Sequence, residues 1–234
     1  MAFAHFVAND TRYHEVCADL AHARLAVGGD SHCSRMANAM RSIPIEGGIR
    51  MNGAFNFAEG GMTLMRYRGV QRYFSLRQCN ANVALLFLGG NDLDMPRPRE
   101  RRDVISDFLN LFLDLEASGK VVYVVGIPNR WSRRNQNLQM MQHKISYINL
   151  RLKWILKGRF ISMPSFLYRE DSFERQVRHA PVGPPIRVEM VHLLPQYYTT
   201  LAKHVLQRVT SDLRRRKSPQ SRIERTINHF LSGH

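Results

Sequence analysis

Short, continuous apolar runs that close on glycine alternate along this chain with segments whose apolar residues recur every three or four positions. No other feature constrains the fold as much, because that alternation belongs to βα units wound around a parallel sheet. Residues 25–28 run into Gly28-Gly29-Asp30-Ser31. Residues 83–88, Val-Ala-Leu-Leu-Phe-Leu, run into Gly89-Gly90-Asn91-Asp92, and residues 121–125 into Gly126-Ile127-Pro128. Runs this short and this uniformly apolar read as strands buried on both faces. Between them, residues 104–117 set Ile105, Phe108, Leu109, Phe112, Leu113 and Leu115 near helical spacing, with Gly119 as the terminator. Residues 135–156 repeat the pattern through Met141, Ile145, Ile148, Leu152, Ile155 and Leu156, then lead to a weaker strand at 160–163. That methionine and aromatic stripe reads as core packing.

From 164 to 191 the periodicity dissolves into a polar stretch with Pro181, Pro184 and Pro185, which reads as a functional loop or an irregular excursion over the surface. It delivers the chain to Val191-His192-Leu193-Leu194-Pro195, and Pro195 suits the first turn of a final helix carrying Tyr198, Leu201, Ala202, Val205 and Leu206. Arg214, Arg215, Arg216 and Lys217 then precede Ser218-Pro219-Gln220-Ser221. The expected organisation is one domain over residues 1–213 and a mobile basic tail over 214–234.

Composition narrows the function classes. Of 234 residues, 44% are hydrophobic and 23% charged, which argues against wholesale disorder and a membrane-embedded chain. The first ten residues lack a basic segment followed by an apolar stretch, and no segment approaches the roughly eighteen apolar residues of a membrane span. Cys17, Cys33 and Cys79 form neither a disulfide framework nor a zinc-binding pair. An intracellular protein, cytoplasmic or nuclear, is expected. Lys and Arg number 34 against 19 acidic residues, a net charge of +15 that would attract nucleic acid or another polyanion. Arg97, Arg99, Arg101 and Arg102 follow the Asn91 loop, and Arg130, Arg133 and Arg134 follow the next strand. Both clusters are candidates for anion binding, and equally for a solvated rim.

The chemistry is expected at the strand ends, where ligands bind in open α/β sheets. Ser31 stands where the first strand turns toward a helix. A serine nucleophile needs a base within hydrogen-bond reach and donors aimed at the developing oxyanion. His192 is the candidate base. Gly60 or Gly61 can bring a backbone N–H close to a substrate, and the Asn91 amide donates without adding a charge.

Gly29-Asp30-Ser31, then a glycine, then Gly89-Gly90-Asn91-Asp92, then a late acid three residues before His192 resembles the SGNH, or GDSL-type, hydrolase superfamily. The blocks occur in family order and span residues 29–192. The resemblance implies a three-layer α/β/α sandwich around a central parallel sheet, flavodoxin-like, and an ester-cleaving enzyme that needs no metal or organic cofactor. It implies Ser31 as nucleophile and His192 as base. It also implies an oxyanion hole made of the Ser31 and Gly61 backbone N–H groups and the Asn91 side chain, with Gly61 taken over Gly60. One block departs: the family's aspartate is here Glu189, which must accept the imidazole Nδ1–H across one extra methylene, and Asp171 is the displaced substitute to consider. The compact Gly29-Asp30-Ser31-His32 opening, closed by Arg35, is most similar to intracellular SGNH domains of invertebrates and to esterase domains of non-LTR retroelements. Two functions follow: a serine esterase acting on a small ester or acylated substrate, or a catalytically weak or inactive module that binds nucleic acid through its basic surface.

Overall fold

The computed structural model describes residues 23–43, 50–94, 99–130, 138–174, 176–179, 185–189, 191–214 and 220–232. Strand β1 (Arg24–Gly29) leads to helix α1 (Ser31–Met40), and β2 (Arg50–Asn56) to the short helices α2 (Leu64–Arg68) and α3 (Gln71–Gln78). Strand β3 (Val83–Phe87) leads to a single turn, α4 (Gly90–Leu93), and the long α5 (Arg101–Ala117); β4 (Val121–Val125) to α6 (Leu138–Leu156) and the two-residue β5 (Phe160–Ile161). An antiparallel ribbon, β6 (Gln176–His179) with β7 (Pro185–Glu189), precedes α7 (Pro195–Arg214) and α8 (Gln220–Leu231).

The five-stranded sheet is parallel throughout, in the order β2-β1-β3-β4-β5. Every residue of β3 and β4 is buried, as their uninterrupted apolar sequences demand. Successive side chains on a strand alternate between faces, and the core divides accordingly. Leu25, Val27, Val83, Leu85, Phe87, Tyr123 and Val125 pack with residues of α1 and α7 on one face. Ala26, Ala84, Leu86, Val122 and Val124 pack with residues of α2, α3, α5 and α6 on the other. The result is the three-layer α/β/α sandwich expected from sequence.

Three stretches hold more structure than the periodicity suggests. Residues 164–191, read as an irregular excursion, contain two 3₁₀ turns, Ser165–Tyr168 and Glu170–Ser172, and the β6–β7 ribbon. Its strands carry no long apolar run, so no buried face announces them. Residues 50–56 form an edge strand whose glycine and asparagine hide its period. The region read as a basic tail carries α8, where Ile227 is fully buried and Phe230 and Leu231 pack beside it against the core that includes α5 and α6. These three lie at i, i+3 and i+4, the spacing of a helix that docks one face, and the preceding charge run masks it. Among the described residues no helix is long and apolar enough to cross a membrane.

Because Ile227 sits in the core, Ile227→Ala should cost about 2–4 kcal/mol of stability in urea unfolding. An unchanged midpoint would mean that α8 contributes nothing to the fold.

Candidate active site

The connection leaving β1 packs on one face of the sheet and the one leaving β3 on the other, so the chain diverges between these two central strands. In open α/β sheets such a divergence marks the ligand-binding crevice at the carboxyl ends of the strands. Gly29 opposes Phe87 at the last rung, and the Asp30 N–H donates to the Phe87 carbonyl at 3.2 Å. A Cβ on Gly29 would sit 2.0 Å from that carbonyl oxygen, so only glycine lets the strand turn here.

Ser31 is the first residue of α1. Asp30 caps the helix, accepting the His32 N–H at 2.9 Å on its side chain and the Ser34 N–H at 3.1 Å on its carbonyl. Ser31 Oγ lies 2.8 Å from His192 Nε2. His192 itself is fixed by backbone: Glu174 N–H donates to the His192 carbonyl at 2.7 Å, Leu194 N–H to the Ser172 carbonyl at 2.9 Å, and Phe173 opposes Leu193 in an antiparallel bridge. Buried Phe173 and Leu193 anchor this pairing in the core.

The Gly60-Gly61 turn is brought alongside by Glu59, whose N–H donates to the Gly29 carbonyl at 2.9 Å. Gly61 has φ +73°, a left-handed conformation that favours glycine, whereas Gly60 shows no such requirement. Asn91 is the second residue of α4; its Nδ2 donates to the Met62 carbonyl at 2.9 Å, and its Oδ1 accepts from Arg130 at 2.9 Å. With Oδ1 held by a guanidinium, the orientation of the amide is set, and Nδ2 has a second N–H besides the one given to Met62.

Arg130 therefore has a different job from anion capture. It is 2% exposed, pairs with Asp94 at 3.0 Å, and lies so close to Gly90 that a Cβ there would be 2.7 Å from Nε. Arg99 is likewise engaged, with Asp92 and Asp107, while Asp92 also accepts the Leu64 N–H at 3.0 Å. Asp92 thus ties the Asn91 loop to the loop after Gly61. Arg101 and Arg102 are exposed, Arg101 stacking over Tyr147 at 4.5 Å. Arg97, Arg133 and Arg134 lie outside the described residues. Asp171 is exposed and pairs with Arg169, not with the histidine. Glu189 ends β7, and its side chain lies outside the described part.

His32, which the sequence marks only as part of the opening motif and to which it gives no role, is 1% exposed. Its ring centroid is 5.2 Å from that of His192, and its Nδ1 shares a 2.8 Å hydrogen bond with Tyr198 OH. Burial, reinforced by Arg130, His192 and Arg35, holds its imidazole well below the ordinary histidine range, so it packs as a neutral ring. Among the described residues no group of three His, Cys, Asp or Glu side chains could hold a metal ion.

No protein-family model matches the chain, and no curated protein matches its sequence. Solved structures do resemble it. A candidate acylhydrolase from Bacteroides fragilis aligns with TM-score 0.59 at 16% identity, over 88% of this chain and 98% of that one. A GDSL-like lipase from Bacteroides thetaiotaomicron aligns at 0.51 and 13%, over 86% and 98%. The OSK domain of Drosophila Oskar aligns at 0.51 and 15%, over 88% and 96%. At these identities the likeness is one of fold, and the fold is that of the SGNH acylhydrolases and lipases.

Burial raises the Asp30 carboxyl from its ordinary 3.8 to about 6, against the pull of Arg130 and the N–H bonds of His32 and Cys33. Because the folded-state value is the higher, protonation favours the fold: the contribution is full below about pH 4 and is lost as pH rises through about 6, by on the order of 3 kcal/mol. Asp30→Asn keeps the cap and removes the charge. Urea unfolding across pH 4–8 should therefore lose this slope in the variant, whereas parallel pH profiles would contradict it.

Proposed function

We propose that this protein is a serine acyl hydrolase that cleaves a carboxylic ester through an acyl-enzyme on Ser31. The observation that carries the reading is the 2.8 Å contact between Ser31 Oγ and His192 Nε2 at the mouth of the β1–β3 crevice. A resting serine is a weak nucleophile. An imidazole at hydrogen-bond distance removes its proton as Oγ attacks the ester carbonyl. The carbonyl π electrons move to oxygen, and the resulting oxyanion is met by the Ser31 and Gly61 backbone N–H groups and the second N–H of Asn91. Such donors act without reorganising at the moment of reaction. The imidazolium then gives its proton to the leaving alkoxide, and the C–O bond breaks. Water, deprotonated by the same histidine, attacks the acyl-enzyme and releases acid and free serine.

Arg130 acts one step back: its bond to Asn91 Oδ1 turns the amide so that Nδ2 faces the crevice. Glu189 holds the place that the sequence resemblance gives the third triad residue. The buried neutral His32 beside His192 adds apolar contact without a competing charge, which leaves the imidazolium as the one cation created in the step.

Hydrolysis of p-nitrophenyl acetate by the purified protein tests the reading. Ser31→Ala and His192→Ala should each lower kcat by several orders of magnitude. Wild-type rates in Ser31→Ala would remove the serine mechanism. Asn91→Ala should lose about a hundredfold in kcat with KM little changed. Arg130→Lys, which keeps a cation beside Asp94 but loses the guanidinium fork on Asn91, should fall in the same direction by a smaller factor.

A further inference from the structure

Helix α6 is apolar on two faces. Its inner face packs Met141, Ile145, Ile148, Leu152 and Ile155 into the core. On its outer face Met140, Tyr147, Leu150 and Trp154 remain 54%, 40%, 66% and 57% exposed. At 3.6 residues per turn these four fall within a stripe about 80° wide that runs about 21 Å along the helix. Met140, Tyr147 and Trp154 recur every seven residues, and His143 and Leu150 stand three residues after the first two. That is the a and d spacing of a seam that receives a second helix.

The charges beside the seam identify what it takes. α6 carries no acidic residue; Lys144 and Arg151 flank the seam on one side and Lys153 on the other, at the e and g positions where paired helices match charges. Arg101 of α5 adds a cation over the Tyr147 ring. A second copy of α6 would bring these cations against one another in either direction, so the seam resists self-pairing and suits an acidic helix. Along its flank lies a cavity of about 250 Å³ whose lining includes Leu150, Lys153, Phe160 and Tyr168. Such a pocket takes one bulky anchor side chain of a docked helix. Single-stranded nucleic acid fits less well. Bases stack on open ring faces, whereas Arg101 already occupies a face of Tyr147 at 4.5 Å and Arg151 a face of Trp154 at 5.3 Å. A lipid surface asks for a broader apolar face than this stripe.

We infer that the outer face of α6 is a docking surface for an acidic amphipathic helix of a partner protein, seated along Met140, Tyr147, Leu150 and Trp154. The apolar residues of that helix interdigitate with the seam, and one of them enters the cavity beside Leu150. Its Asp and Glu residues at e and g meet Lys144, Arg151 and Lys153. Exposed His143 is the polar interruption that fixes the register, as a single polar seam residue does in paired helices. Because α6 packs on the face of the sheet opposite α1, the surface stands apart from Ser31, and the inference does not depend on the hydrolase reading.

The test uses the whole chain and two labelled synthetic peptides of three heptads. Both carry Leu at a and d; one has Glu at every e and g, the other Lys. In fluorescence anisotropy the Glu peptide should bind saturably, and the Lys peptide and a scrambled Glu peptide roughly tenfold more weakly or worse. Leu150→Ser and Trp154→Ala should each weaken the Glu peptide by about tenfold or more. Lys144→Glu combined with Lys153→Glu should reverse the order of the two peptides, a result that loss of folding does not produce. The inference is overturned if the scrambled peptide binds as tightly as the ordered one, if the charge-reversed variant still prefers the Glu peptide, or if neither peptide binds. Three other outcomes overturn it by giving the face to a different occupant. Self-association in sedimentation that Leu150→Ser abolishes would give it to a second copy. Binding of an oligouridylate, or of phosphatidylserine vesicles, that Trp154→Ala abolishes would give it to nucleic acid or to a membrane.

Discussion

Everything at the candidate site is measured from the rung where Gly29 opposes Phe87. The parallel register of β1 on β3 ends both strands at the same level, so the loops that follow must turn away side by side. One carries Ser31 onto a helix on one face of the sheet, and the other carries Asn91 onto a turn that leads to the opposite face. A slip of one residue would move Ser31 by about 3.3 Å along the strand axis and reverse every side chain of β1 between the two cores. Leu25 and Val27 on one side and Ala26 on the other, all fully buried, make that slip costly. The position of Ser31 is thus a consequence of hydrophobic packing several residues away from it.

Around that rung the molecule accepts polar groups that an ordinary core would exclude. Asp30, His32, Asp92 and Arg130 are each no more than 2% exposed. Burial of such groups is tolerated when each finds partners. Asp30 caps a helix, Asp92 accepts from Leu64 N–H and Arg99, Arg130 donates to Asp94 and Asn91, and His32 bonds Tyr198. The cost remains legible in the raised Asp30 and Asp92 carboxyls and the lowered His32. In exchange, the glycine turn, the Asn91 loop and the start of α1 are fastened to one another by bonds that admit one geometry. Preorganisation of this kind is what a transition state with developing charge requires.

The parts visible in the sequence were those governed by one local rule. β3 and β4 are uninterrupted apolar runs, and α5 repeats at helical spacing to a glycine with φ +83° just past its end. Ser31, Asn91 and His192 could be singled out because each sits beside a glycine-marked strand end or before a proline-started helix. The rest depends on pairing between distant segments. Nothing near Glu174 in sequence says that it will oppose His192, because that follows from an isolated bridge between Phe173 and Leu193, twenty residues apart in the chain. Arg130 and Arg99 read as anion binders because a run of arginines looks alike whether it meets solvent or buried aspartates. Only the fold supplies Asp94, Asn91, Asp92 and Asp107 as their partners.

The division of labour between sheet and ribbon has a mechanical consequence. Ser31 and Asn91 follow directly on β1 and β3, strands buried in all but Arg24, but His192 stands beside a two-stranded ribbon, an element that is marginal by itself in water. Its register is held at one end by Phe173 and Leu193 in the core and at the other by the β6–β7 pairing. Between those ends the register shifts: three residues lead from Phe173 to Gln176, and four from Glu189 to Leu193. His192 meets α1 at Ser31, and Glu174, whose N–H bonds the His192 carbonyl, meets it at Arg35 one helical turn on, so the segments that present the histidine are tied to the sandwich by two contacts as well as by the buried Phe173 and Leu193.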